Sequence, residues 1–342
     1  MPRLLNRRTA AQWILGYFLL ATFCTISAKL YFDYLSAQAK KSRESVSDNE
    51  CPTMHQGFSR KNTENTTQPA ELPQLPSSEF YIRMLGARSP PRGDLFDPQI
   101  NATELRATVK LLWAFLDLCK QHNIQVMLYG GTLLGSYRHH GVIPWDDDVD
   151  MLMREADKRR LIEALKGHPD LRLRQAGRWK VSSKSHCLNV ARHGCWPFID
   201  LSFYELKDGW VVDLLGSFGK KYRYPETVTF PLHKRPFMGR WIDSPRDALK
   251  FLSYSIKLSS ACISLHYSHK FERYPKVESV SIDCKELALT YPFVCRVPDS
   301  ATSHGGVLET LTFSDGGPVY TVPVNEPKGV INAIYSTLSV KN

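Results

Sequence analysis

The chain has 342 residues, 43 % of them hydrophobic and 23 % charged, with a formal net charge of +10. That composition excludes a wholly disordered or fibrous chain and allows one large domain or two small ones. The positive balance suits an anionic ligand, but Lys and Arg are scattered, with no long basic block, so nucleic acid is not expected as a partner.

Residues 10–28, AAQWILGYFLLATFCTISA, carry no charge. A run of about 19 such residues can cross a bilayer as a helix. Arg3, Arg7 and Arg8 precede it, and Lys29 and Asp33 follow. The positive-inside rule then keeps residues 1–9 cytoplasmic and makes residues 10–30 an uncleaved signal anchor in the lipid bilayer, a single-pass type II arrangement. Everything beyond would lie in the secretory lumen, where sequons at Asn65 and Asn101 are N-glycosylation candidates. Of eight cysteines, Cys24 falls in the anchor. The rest are odd in number, so in an oxidising lumen one stays free or links two chains. Cys51 is the candidate for such a link, in a homodimer or hetero-complex. Residues 31–100, rich in Ser, Thr, Asn, Gln and Pro, read as a flexible stem.

The folded region is expected from residue 101. Thr103 can cap a helix running to about His122, with Leu105, Val109, Leu112, Trp113, Leu116 and Cys119 on one face. IQVMLYG reads as a buried strand broken by Gly130-Gly131, and Thr132 can cap a helix ended by Gly141. VDMLM is a second strand, followed by an amphipathic helix stopped at Gly167. LRLRQ, HCLNVAR, PFIDLSFYEL and WVVDLL read as further strands, the last two joined by the turn Lys207-Asp208-Gly209. RDALKFLSYSI is helix-like. The pattern implies an α+β or α/β fold, a mixed sheet flanked by helices.

Two features carry chemistry. Gly130-Gly131, after a strand and opening a helix, let a backbone approach phosphate closely, and the helix N-terminus adds free N–H groups and a favourable dipole. Asp146, Asp147, Asp148 and Asp150 crowd within five positions, which is repulsive unless cations compensate. On a strand, Asp148 and Asp150 project to the same side, as ligands of a hard cation, with Mg2+ or Mn2+ the best fit. Apolar neighbours on both sides argue against a merely solvated turn. Asp200 interrupts an apolar strand and is the candidate third ligand or proton acceptor; Asp213 is the runner-up. His186, Cys187, His193 and Cys195 form a weak zinc motif, with a Cys187–Cys195 disulfide as the competing reading.

The segment Leu128–Met153, LYGGTLLGSYRHHGVIPWDDDVDMLM, resembles the signature of the LicD/fukutin family of the nucleotidyltransferase-like superfamily. The matching residues include Gly130, Gly131, Thr132, Gly135, Arg138, Gly141, Pro144, Trp145 and the aspartates 146, 147, 148 and 150. FIDLSFYE resembles the family's later Asp-bearing strand, and the resemblance covers roughly residues 101–255. It implies transfer of a phospho-alditol or phosphocholine-type group from a CDP-activated donor to a glycan or glycoprotein acceptor. It further implies metal ligation by Asp148 and Asp150, donor-phosphate binding by Gly130, Gly131, Thr132 and Arg138, support from Asp146 and Asp147, and residence in the Golgi or the endoplasmic reticulum. Arg154, Lys184 and Arg192 are further phosphate-clamp candidates. Residues 101–258 would form the catalytic domain, and residues 259–342 an extension of unclear structure or a poorly packed tail. Two other functions fit parts of the pattern: a Golgi glycosyltransferase with an Asp-x-Asp metal site, and an inert scaffold of glycan assembly.

Overall fold

The computed structural model describes residues 72–85, 95–191, 194–215, 222–256, 261–276, 278–298, 306–314 and 318–325. The expected anchor at residues 10–30, the sequon at Asn65 and Cys51 lie outside the described residues. Among the described residues no helix is long and apolar enough to cross a membrane.

Helix α1, Ser78–Leu85, precedes α2, Ala102–Gln121. The stem reading therefore fails over its last part. Tyr81, Ile82, Phe96 and Ile100 are buried, because a short apolar stripe lies hidden in the Ser- and Pro-rich stretch. The cap of α2 is Asn101 rather than Thr103. Asn101 Oδ1 accepts from the Thr103 and Glu104 amides, and the Glu104 carboxylate accepts from the Asn101 amide, which together form a capping box. Asn101 itself is exposed.

The central sheet is built from β1 (Val126–Leu128), β2 (Val149–Arg154), β3 (Leu171–Arg174), β4 (Trp179–Ser183), and, beyond the small hairpin β5 (Asn189–Ala191) and β6 (Gly194–Trp196), β7 (Phe198–Lys207), β8 (Trp210–Asp213) and β9 (Arg223–Pro225). Its strand order is β1-β2-β7-β4-β3, with β8 pairing β7, and β9 pairing β8. Only β2 and β7 run parallel in it. The first seven residues of β7 are buried on both faces, which explains why its sequence is mostly apolar, broken by Asp200 and Ser202. Asp208 and Gly209 both have positive φ, as a two-residue hairpin between β7 and β8 demands. The mixed sheet flanked by helices agrees with the expected fold class.

Helix α3, Gly130–His139, connects β1 to β2, and α4, Lys158–Leu165, follows β2 after a 3-10 turn at Glu155–Asp157. The short helix α5, Glu226–Thr229, leads to the hairpin β10 (His233–Phe237) and β11 (Arg240–Ser244), then to α6, Ala248–Ser253. The apolar core joins α2, α3, β2 and β7 through residues such as Phe115, Leu133, Met151 and Phe203.

Residues beyond 258 are not a loose appendage where described. Strand β12, Ala261–Ile263, pairs with β13, Ser281–Asp283, and a disulfide joins Cys262 to Cys284. Strands β14 (Phe293–Pro298), β15 (Val307–Thr312) and β16 (Pro318–Val324) form an antiparallel sheet. Trp145, at the entrance to the acidic run, is buried among Phe96, Tyr291 and Phe293, and its indole donates to Ile263 O at 2.8 Å. Glu309 on β15 is fully buried and receives Arg235 Nη2 at 2.9 Å, Arg296 Nε at 2.7 Å and His140 Nε2 at 2.6 Å. Arg296 also donates to Tyr137 O near the C-terminus of α3. The extension thus grips the helix whose other end faces the acidic run. Cys295 is disulfide-bonded, and Cys119, buried in α2, is the free thiol among the described residues.

Candidate active site

Tyr129 occupies the N-cap of α3 with extended backbone and no capping side chain. Thr132, expected as the cap, lies inside the first turn, and its Oγ1 accepts the Asp150 amide at 2.7 Å instead. The bond ties the helix start to β2. Gly130 has φ +51°, and a Cβ there would stand 3.0 Å from Asp150 Oδ2. A Cβ on Gly131 would stand 3.0 Å from Asp146 Oδ2. The acids press against the helix start, so a Cβ at either glycine would push a carboxylate aside by a few tenths of an ångström.

Asp148, Asp150 and Asp200 each offer a carboxylate oxygen within 4.8 Å of the others. Parallel pairing of β2 and β7 sets Asp150 opposite Asp200, so their side chains share a face. The Asp148 and Asp150 side chains keep 6 % and 14 % exposure. Asp200 is 3 % exposed, and its buried Oδ1 accepts no hydrogen bond. Lys180 Nζ stands 2.9 Å from that oxygen, close enough to pair with the charge but not aligned to donate. A buried carboxylate oxygen without a donor, in a cluster of acids, suits a hard divalent cation.

Burial, together with repulsion from neighbouring aspartates, pushes Asp146 up to about 6 and Asp148 and Asp150 up to about 8. Two cations from outside the acidic run temper this. Arg178 donates to Asp150 Oδ1 at 3.0 Å. The other is His269, whose Nε2 lies 3.2 Å from Asp148 Oδ2. Against the pull of burial, Asp148, Asp147 and Asp146 hold its imidazole protonated, up to about 10.

Asp147 faces away from the Asp148–Asp150–Asp200 cluster. Its carboxylate accepts from Ser268 Oγ at 2.6 Å and from the His269 and Lys270 amides at 3.0 and 3.1 Å. These bonds outweigh burial and hold it below the usual carboxylate range. Asp147 therefore anchors a turn of the C-terminal segment, and its own backbone carbonyl accepts the Trp196 indole at 3.0 Å.

Several expected roles move. Arg138 points to the C-terminal segment, donating to Ala261 O at 3.3 Å, and burial lowers it to about 10 without a contribution from the acids. Asp213 accepts from the Tyr129 hydroxyl and the Leu215 amide, a structural role. Lys184 donates to His168 O and Pro169 O, Arg154 is exposed at the end of β2, and Arg192 lies outside the described residues. Cys187 and Cys195 form a disulfide, which removes the zinc motif. Arg178, Lys180 and His269 were not legible from the sequence. A local signal exists at β4, where Arg178 just before the strand and Lys180 within it stand two apart and pair with the acids. For His269 there was none, because it reaches the site from more than a hundred positions away.

Comparison with known proteins agrees with this architecture. Residues 123–247 match the LicD/FKTN/FKRP nucleotidyltransferase domain. The chain is similar to the lipopolysaccharide cholinephosphotransferase LicD of Haemophilus influenzae, 42 % identical over 55 residues, 16 % of this chain and 21 % of that protein. It is similar to the human ribitol 5-phosphate transferase FKRP, 27 % identical over 160 residues, 43 % of this chain and 30 % of that protein. An uncharacterized protein of Rickettsia typhi, RT0683, is 29 % identical over 134 residues, 39 % of this chain and 40 % of that protein. The chain thus spans less than half the length of the curated relatives it matches. From the glycine-opened helix through the aspartates to the strand bearing Asp200, the site lies within the stretch that matches the LicD/FKTN/FKRP nucleotidyltransferase domain.

Proposed function

We propose that this chain is a metal-dependent phosphotransferase that moves a phospho-alditol or phosphocholine-type group from a CDP-activated donor to a hydroxyl of a glycan, on a glycoprotein or similar acceptor. The observation that carries the reading is the convergence of Asp148, Asp150 and Asp200 within 4.8 Å beside a helix start stripped to glycine. The relatives named for cholinephosphate and ribitol phosphate transfer support the same reaction class.

Asp148, Asp150 and Asp200 would hold Mg2+ or Mn2+. Such an ion neutralises charge on the transferring group and on the departing CMP. The N–H groups at Gly130 and Gly131 offer donors for a donor phosphate, aided by the helix dipole. Arg178 and Lys180, now held on Asp150 and Asp200, are placed to take up phosphate charge once an ion occupies the carboxylates. Residues 10–30 would anchor the chain as a type II protein with the domain in the Golgi or endoplasmic reticulum lumen, a proposal that rests on the sequence pattern.

The test is a donor panel. Purified full-length chain is offered CDP-ribitol, CDP-glycerol, CDP-choline, UDP-sugars and GDP-sugars with glycan acceptors, and release of CMP, UDP or GDP is followed. CMP release that stops on chelation and returns with Mg2+ or Mn2+ supports the reading. UDP or GDP release favours a glycosyltransferase, and no release from any donor favours an inert scaffold.

A further inference from the structure

Two groups of metal-ligating side chains share Asp148. One is Asp148, Asp150 and Asp200; the other is Asp146, Asp148 and His269, whose ligand atoms also lie within 4.8 Å of one another. His269 lies outside the family-matched stretch of residues 123–247. Its placement is not accidental packing. The turn at Ser268–Lys270 is fastened to the Asp147 carboxylate by one hydroxyl and two amide hydrogen bonds. The His269 Nδ1 faces Asp147 Oδ1 at 3.3 Å, while Nε2 faces Asp148 Oδ2 at 3.2 Å. A carboxylate behind one ring nitrogen, with the other nitrogen turned into a carboxylate cluster, is the arrangement that orients histidines as metal ligands. The neighbouring cluster holds Asp200 Oδ1, nearly fully buried, with Lys180 Nζ at 2.9 Å but not aligned to donate to it.

We propose that His269 is a metal ligand supplied by the C-terminal segment, completing with Asp146 and Asp148 a second cation position that shares Asp148 with the first. On binding, the ion takes the place of the proton on Nε2, which leaves to solvent, while Nδ1 keeps its hydrogen toward Asp147. One nitrogen among the oxygen ligands shifts preference at this position from Mg2+ toward Mn2+ or another transition ion. The inference rests on the reading that Asp148, Asp150 and Asp200 hold a divalent ion.

The experiment is Mn2+ titration of the full chain, followed by pulsed EPR for coupling of bound Mn2+ to a directly ligated nitrogen-14. Wild type is expected to bind a second equivalent of Mn2+ that carries the nitrogen coupling. In His269→Gln the coupling disappears and the affinity of that equivalent falls by about 10–100-fold, while the first is retained. In His269→Ala, added imidazole restores the coupling, which a merely structural role would not allow. Wild type that binds a single Mn2+ without nitrogen coupling overturns this inference and leaves the first position standing. Wild type that binds no Mn2+ overturns both. Coupling that persists in His269→Gln also overturns it.

Discussion

Asp150 and Asp200 face each other across the β2–β7 boundary, register partners on the parallel strand pair of the central sheet, and each is paired with a cation of β4 or its approach. Asp148→Asn, Asp150→Asn and Asp200→Asn should each lower turnover by about 10²-fold or more while the far-UV circular dichroism stays unchanged. Full activity in all three variants would remove the carboxylates from the mechanism.

The two glycines separate backbone strain from crowding. Gly130→Ala places a Cβ both at φ +51° and 3.0 Å from Asp150 Oδ2, so it should cost about 1–2 kcal/mol from the left-handed backbone alone, read by urea unfolding. Gly131→Ala meets Asp146 Oδ2 at the same 3.0 Å without a positive φ. It should lower metal affinity and activity with a smaller loss of stability. Equal stability losses in the two would contradict this division.

Stability should depend on pH and metal together. Asp146, Asp148 and Asp150 hold protons up to about 6, 8 and 8 in the fold, above their ordinary values, and His269 up to about 10. Groups raised on folding bind more protons native than unfolded, so stability falls as pH rises through that window. His139 acts oppositely: burial lowers it to about 3, so its contribution is lost as pH falls below about 6.5, its ordinary value. Above pH 6.5 only the first set acts. The metal-free protein should therefore melt at falling temperature between about pH 6.5 and 8. Saturating Mg2+ or Mn2+ should flatten that decline by replacing the protons. A decline unchanged by metal would show that these acids do not bind it.

Glu309 is bonded to both Arg235 and Arg296. Those guanidiniums, with burial opposing, hold it well below the usual carboxylate range. Glu309→Gln removes the carboxylate charge that two buried guanidiniums share and should cost about 3–5 kcal/mol in denaturant unfolding. It should also weaken metal binding, since the cluster steadies the end of α3 opposite the glycines. A loss below about 1 kcal/mol would mean the extension is held by apolar packing instead.

Legibility followed range along the chain. Gly130, Gly131, Asp148 and Asp150 were readable because turn chemistry and strand alternation are local rules. Asp200 was readable because a charge inside an apolar strand needs a reason. Capping was misassigned twice by two or three residues, at Thr103 and Thr132, because several polar residues near each helix start can serve and only the backbone angles choose among them.

The sequence by itself determined the acids, the glycines and the strands that carry them, since each follows from spacing within a few residues. Only the tertiary structure decided that Arg178 and Lys180 neutralise Asp150 and Asp200, that Asp147 turns away to fasten residues 268–270, and that His269 enters the site. Those partners are set by which strands pair and where a distant segment docks. No periodicity records such a choice, because it depends on burial and charge balance summed over the whole fold.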